Sequence, residues 1–206
     1  METNLLLRKV NWILAASAIV VIATMAMGSA LFVSCESDNS AEVDIEYTRD
    51  ELVARGKYLV NTSACHDCHT PKIMTPHGPE FDTTRLLSGY PSSAPKPKVN
   101  KDALKEWILF GQDLTSAAGP WGVSFAANLT SDETGTGNWT EQQFFTAIRK
   151  GKYKGLEGSR ALLPPMPWQV YSGMTDTDLK AIYEYLKTTK PVSNIVPAPI
   201  PPDDIQ

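Results

Sequence analysis

Cys65, Cys68 and His69 stand at i, i+3 and i+4 in the run Cys65-His66-Asp67-Cys68-His69. On one helical turn those positions share a face, so two thiols and one imidazole converge on the same side of whatever lies against them. A flat ring with two vinyl groups and a central iron needs that set. Each thiol adds across one vinyl group, and the imidazole binds the metal from one face. The spacing is the C-x-x-C-H attachment sequence of c-type haem. It predicts Cys65 and Cys68 as covalent cofactor-binding residues and His69 as an axial iron ligand. The rest of the chain must then fold around a ring larger than any side chain.

Two other uses of these residues compete. A Cys-x-x-Cys pair also serves as a redox disulfide, but no strand-helix unit of the thioredoxin type surrounds this one. Structural zinc takes four ligands. Here His66 points off the shared face and Cys35 lies thirty residues away, which leaves His77 as the remaining ligand. With three cysteines and three histidines in 206 residues, one covalent haem is the ceiling.

Charge narrows the partners. The net charge is −4, and the first 35 residues carry Arg8 and Lys9 against Glu2, which puts −5 on the remainder. A nucleic-acid partner, which wants a basic face, is not expected. An acidic body suits a basic protein surface instead.

The N-terminus reads as an anchor or a signal. Trp12 to Val33 is a run of 22 residues without a charge, preceded by Arg8 and Lys9. A helix of that length crosses a hydrocarbon core, and the basic flank holds the N-terminus in the cytoplasm. A cleaved secretory signal has a shorter apolar region, of ~7–15 residues. Leu31-Phe32-Val33-Ser34-Cys35 also resembles a bacterial lipoprotein processing site, at which Cys35 would be lipidated. Retained helix and lipid anchor both tether the body to the outer face of a bacterial membrane, on the periplasmic side. The expected organisation is an anchor or lipoprotein signal over 1–35, a linker over 36–47, a single-haem domain over 48–190 and a proline-rich tail over 191–206. Twelve flexible linker residues reach about 20 Å, which favours a fixed neighbour.

Helical signals dominate the body. Thr48-Arg49-Asp50-Glu51 reads as a capping box, and Leu52, Val53, Gly56, Leu59 and Val60 follow at helical spacing. Gly56 costs that helix about 1 kcal/mol against alanine, so a close approach by another helix is expected there. A short helix is predicted over Asp102 to Phe110, with Leu104, Trp107 and Ile108 inward. Thr140-Glu141-Gln142-Gln143 opens a third helix, with Phe144, Phe145 and Ile148 inward and Gly151 at its end. The last opens at Thr175, buries Leu179, Ile182, Tyr183 and Leu186, and stops at Pro191. The tail, with five prolines, is expected to be extended and either on the body or free. Sequons at Asn61, Asn128 and Asn138 read as coincidence.

The iron's other face needs a ligand, for which Met74, Met166, Met174 and His77 are candidates. Met74 and His77 follow the attachment turn too closely to reach around the ring. Met174 sits directly before the helix cap Thr175, where an apolar residue packs as a staple. Met166 lies in Leu162-Leu163-Pro164-Pro165-Met166-Pro167-Trp168, where three prolines stiffen the strap that would aim its thioether. Met166 is therefore the preferred ligand and Met174 the alternative. A methionine there would raise the reduction potential and suit electron transfer.

These segments together resemble class I cytochrome c. The resemblance rests on the helix carrying Gly56-Lys57-Tyr58-Leu59-Val60, the Cys65–His69 turn, and Met166-Pro167 ahead of the closing Leu179-to-Leu186 helix. Ala127-Asn128-Leu129-Thr130, Gly137-Asn138-Trp139-Thr140 and Pro165-Met166-Pro167-Trp168 are similar to cytochrome subunits of membrane-bound bacterial dehydrogenases. The resemblance implies an all-α fold with crossing first and last helices, and His69 with a distal methionine as axial ligands. Both the proline-flanked and the pre-helix methionine recur in that subgroup, so the choice stays open. Such subunits often carry several haem motifs, and this chain has one.

The expected function is a membrane-tethered, single-haem electron carrier, not an enzyme. Its partner would be a membrane redox complex: a dehydrogenase, a quinol-oxidising complex or a terminal oxidase. The alternative is a haem enzyme or gas sensor with an open distal iron face.

Overall fold

The computed structural model describes residues 46–205. The expected membrane helix, the lipidation site at Cys35 and nearly all of the linker lie outside the described residues. Within them, no helix is long and apolar enough to cross a membrane.

Helix α1, Arg49–Thr62, starts where the capping box requires. The Thr48 hydroxyl accepts from the Glu51 amide, and the Glu51 carboxylate accepts from the Thr48 amide at 2.8 Å. Ser63 caps its end, and Ala64, at φ +58°, swings the chain into the five-residue α2, Cys65–His69. Helix α3, Glu141–Lys150, has the same reciprocal cap from Thr140 and Gln143, and Gly151 ends it in the left-handed conformation. After the single-turn α4, Trp168–Tyr171, comes α5, Asp176–Thr188. The predicted helix starts at Thr48, Thr140 and Thr175 are all observed.

Helices α1 and α5 cross at Gly56, as expected. A Cβ built there would overlap the carbonyl oxygen of Ala181 and lie 2.7 Å from the Tyr185 Cβ. Ion pairs Arg49–Glu184 (2.9 Å) and Arg55–Asp178 (2.6 Å) bridge the same two helices. Their arginines are exposed while the two carboxylates are largely covered, so solvent screens each pair from one side. Val60, Leu87, Phe144, Leu179, Ile182 and Leu186 form the main core.

The all-α expectation is overturned. The described residues contain five short strands in two antiparallel sheets. Strands β1, Lys72–Thr75, and β2, Gly78–Phe81, form a hairpin directly after α2. Strands β3, Leu109–Phe110, β4, Ser116–Gly119, and β5, Gly122–Phe125, form a meander in that order. The fold is mixed α and β. Its strands escape pattern reading because β4 is all small residues buried on both faces, Ser116 to Gly119, so polar and apolar positions do not alternate. Ala117 and Ser124 face a cavity, while Ala118 and Val123 pack on Ile205 of the tail.

The helix predicted over Asp102 to Phe110 is also replaced. Only a 3-10 turn forms, at Ala103–Lys105, and Leu109–Phe110 become β3. Of the residues expected inward, Leu104 packs on the Ala118–Ile205 cluster, but Trp107 and Ile108 are exposed. The Asn128 sequon has a structural use. Its buried side-chain amide donates to Val192 O at 2.8 Å and its oxygen accepts from the Thr130 amide and hydroxyl.

Candidate haem site

The site is built outward from α2. Ser63 and Ala64 turn the chain so that Cys65, Cys68 and His69 all reach the wall of one cavity of about 660 Å³. That size falls within the ~300–1,000 Å³ of cofactor sites. Both thiols are free of disulfide, and burial pushes the Cys65 thiol up to about 11. His66 points away, as expected, with its Nδ1 2.8 Å from the Thr70 hydroxyl and its ring tilted against Phe81.

His69 is buried, and its Nδ1 lies 2.7 Å from the carbonyl oxygen of Ala127. A carbonyl can only accept, so Nδ1 carries the proton and Nε2 keeps its lone pair for a metal. Burial also lowers the His69 pKa, favouring the neutral, ligating form. This contact gives Ala127-Asn128-Leu129-Thr130 its role. The Asn128 side chain and the Leu129 amide, bonded to Leu87 O at 2.8 Å, hold the segment in place, and Ala127 orients the imidazole. No side-chain signal marks Ala127, because the working atom is backbone.

Lys72 holds the other end of α2. Its ammonium donates to the carbonyls of Asp67, Thr70 (3.0 Å) and Asp113 (2.8 Å), a favourable charge at a helix C-terminus.

Met166 and Met174 both line the cavity with His69. Met174 also packs against the main core, consistent with a staple, whereas Met166 joins neither core cluster of the described residues. The strap carrying Met166 is tied down at both ends. The Ser124 hydroxyl donates to Pro164 O at 2.6 Å, and the Tyr171 hydroxyl donates to Ser63 O at 2.7 Å, two residues before Cys65. Nothing in the sequence marks Tyr171, because an isolated tyrosine carries no spacing signal. Tyr171→Phe should remove one partly buried hydrogen bond, about 1 kcal/mol. The thermal midpoint should then fall by about 2–4 °C, read by circular dichroism.

Met74 is exposed on β1, and His77 is exposed in the hairpin turn. Neither lines the cavity. Among the described residues, no group of three histidine, cysteine, aspartate or glutamate side chains converges as metal ligands, so zinc finds no tetrahedral set. Trp139 lines the cavity, but Trp121 and Trp168 do not.

The main core and the cavity share one surface. Val60, Phe144, Leu179, Ile182 and Leu186 belong to both. An apolar lining, two free thiols and an oriented imidazole fit a covalently attached haem.

Comparison with known proteins agrees. Residues 53–190 match the family model described as cytochrome c. This chain belongs to the cytochrome c family, and haem c is its cofactor; Cys65 and Cys68 stand at the Cys-x-x-Cys-His spacing. It is 30% identical over 142 residues to the fructose dehydrogenase cytochrome subunit of Gluconobacter japonicus, covering 68% of this chain and 22% of that protein. It is 40% identical over 144 residues to the cytochrome c subunit of a quinone alcohol dehydrogenase from Gluconacetobacter polyoxogenes, covering 69% and 23%. To the gluconate 2-dehydrogenase cytochrome c subunit of Pantoea cypripedii it is 27% identical, covering 68% and 24%. The match thus spans about a quarter of each relative. Electron transfer by a cytochrome c domain, as in dehydrogenase cytochrome subunits, is the function these relationships support.

Proposed function

We propose that the chain is a single-haem electron relay held at the outer, periplasmic face of a bacterial membrane, taking electrons from a dehydrogenase and passing them to another membrane redox complex. The observation that carries the relay reading is the meeting of His69 and two methionines on the wall of one apolar cavity. When bound, haem supplies a one-electron Fe(III)/Fe(II) couple. Cys65 and Cys68 would hold it through thioethers, and His69 Nε2 and Met166 would hold its iron. The apolar walls exclude water. The dehydrogenase assignment draws on the relatives' roles, and the tether on the uncharged Trp12–Val33 run and the Cys35 site.

Expression of the full chain in a bacterium that matures c-type cytochromes tests the proposal. One covalent haem per chain, recovery in the membrane fraction and little carbon monoxide binding by the reduced protein are expected. Rapid stoichiometric carbon monoxide binding would overturn the relay reading, and recovery only as an untethered periplasmic protein would overturn the tether. The mass of the mature N-terminus separates a retained helix from a lipidated Cys35.

A further inference from the structure

The segment from Pro191 on lies beyond the part of the chain that matches the family, yet past the contact of Val192 with Asn128 it is fastened to the body at two further places. At the first, Asn194 is 2% exposed. Its amide nitrogen donates to Ser88 O (2.7 Å) and Tyr90 O (2.9 Å), and its side-chain oxygen accepts from the Ser92 amide at 2.9 Å. At the second, Ile200 and Val123 exchange backbone hydrogen bonds of 2.8 and 2.9 Å. Gly122, at φ +95°, leaves room there, since a Cβ would overlap the Ile200 carbonyl. Ile205 is then buried against Ala118 and Val123.

Between these two fastenings, Ile195, Val196, Pro197 and Pro199 line the haem cavity. The composition suits a wall. Proline has no N–H, so at positions 197 and 199 the backbone brings no unsatisfied donor to an apolar space. Ile195 is 74% exposed while it lines the cavity, which places it on the rim between cavity and solvent.

We infer that residues 192–200 are an outer wall of the haem pocket, a strap pinned at Asn194 and Ile200 that keeps water from the ring and thereby holds its reduction potential up. The inference rests on the cavity being the haem seat. Solvent exposure is one of the levers that set haem potentials, and water favours the more highly charged oxidised iron.

Two variants of the full holoprotein test it. I195S/V196S makes the wall polar without touching either pin, and Gly122→Ala displaces the Ile200 pin without touching the residues at 195–197. Each should shift the Fe(III)/Fe(II) ratio at fixed ambient potential at least threefold toward Fe(III), about 28 mV for one electron. Each should also speed cyanide binding to the oxidised protein. Ala147→Ser, deep in the cavity, serves as an internal reference. If Ala147→Ser moves the potential and neither strap variant does, at full haem loading, the wall is overturned. If none of the three moves it, the cavity is not the haem seat, and the inference falls with that reading.

Discussion

Met166→Ala should abolish the weak methionine-sulfur-to-iron absorption band of the oxidised protein, while Met174→Ala should keep it. The two residues share the cavity with His69, so position alone does not separate them. Their surroundings do. Met174 precedes the α5 cap and packs against the main core cluster. Met166 stands between Pro165 and Pro167 on a strap fixed by Ser124 and Tyr171, and so has its side chain available to the iron. A weak iron–sulfur bond gains from that preorganisation. Losing it should lower the reduction potential by a sizeable part of the ~0.8 V over which axial ligands set haem potentials. Met174→Ala should instead cost stability, about 2–5 kcal/mol if its site is as tightly packed as a core position. A surviving band in Met166→Ala together with a lost one in Met174→Ala would reverse the assignment.

Gly56→Val should leave little folded protein, and Gly56→Ala should fold with a lowered urea midpoint. Any side chain at 56 meets the Ala181 backbone, which cannot move without moving α5. Ala181 is fully buried. Overpacking of this kind costs typically about 1–3 kcal/mol and occasionally more. That exceeds the ~1 kcal/mol that alanine returns through helix propensity. Because Leu179, Ile182 and Leu186 of α5 also wall the cavity, forcing the helices apart loosens the haem site as well. Valine adds branching to the clash. An alanine variant with an unchanged midpoint would show that the helices can part freely.

The parts legible in the sequence are those whose signals are local. Capping boxes at Thr48 and Thr140, the helix start at Thr175 and the Cys65–His69 spacing each lie within a few residues, and each is found in the structure. Gly56 was readable too, because a glycine in mid-helix demands a reason. The sheets were not. Strands of two to four residues, one of them Ser116-Ala117-Ala118-Gly119 and buried on both faces, carry no two-residue alternation. Trp107 and Ile108 misled because apolar residues at helical spacing suggest burial, yet both are exposed. Within the site, the thiols and the imidazole were visible as residue types. Ala127 works through its carbonyl, Tyr171 through a partner 108 residues away and the tail through its packing, and none of these leaves a mark on nearby sequence.

The α1–α5 crossing also fixes an order in time. Arg55 meets a partner 123 residues downstream, and Gly56 fits against Ala181, so the surface that α1 crosses is made only with the last helix. Non-local contacts of this kind are slow to form, because a long loop must close first. Five main-core side chains face the cavity, so the growing chain lacks both its final helix and the ring that fills its interior. Until that helix docks, the cavity beside the Cys65 and Cys68 thiols lacks the wall made by Leu179, Ile182 and Leu186, an interval in which the thiols are less enclosed. The interval closes once α5 docks and the pocket wraps around its cargo.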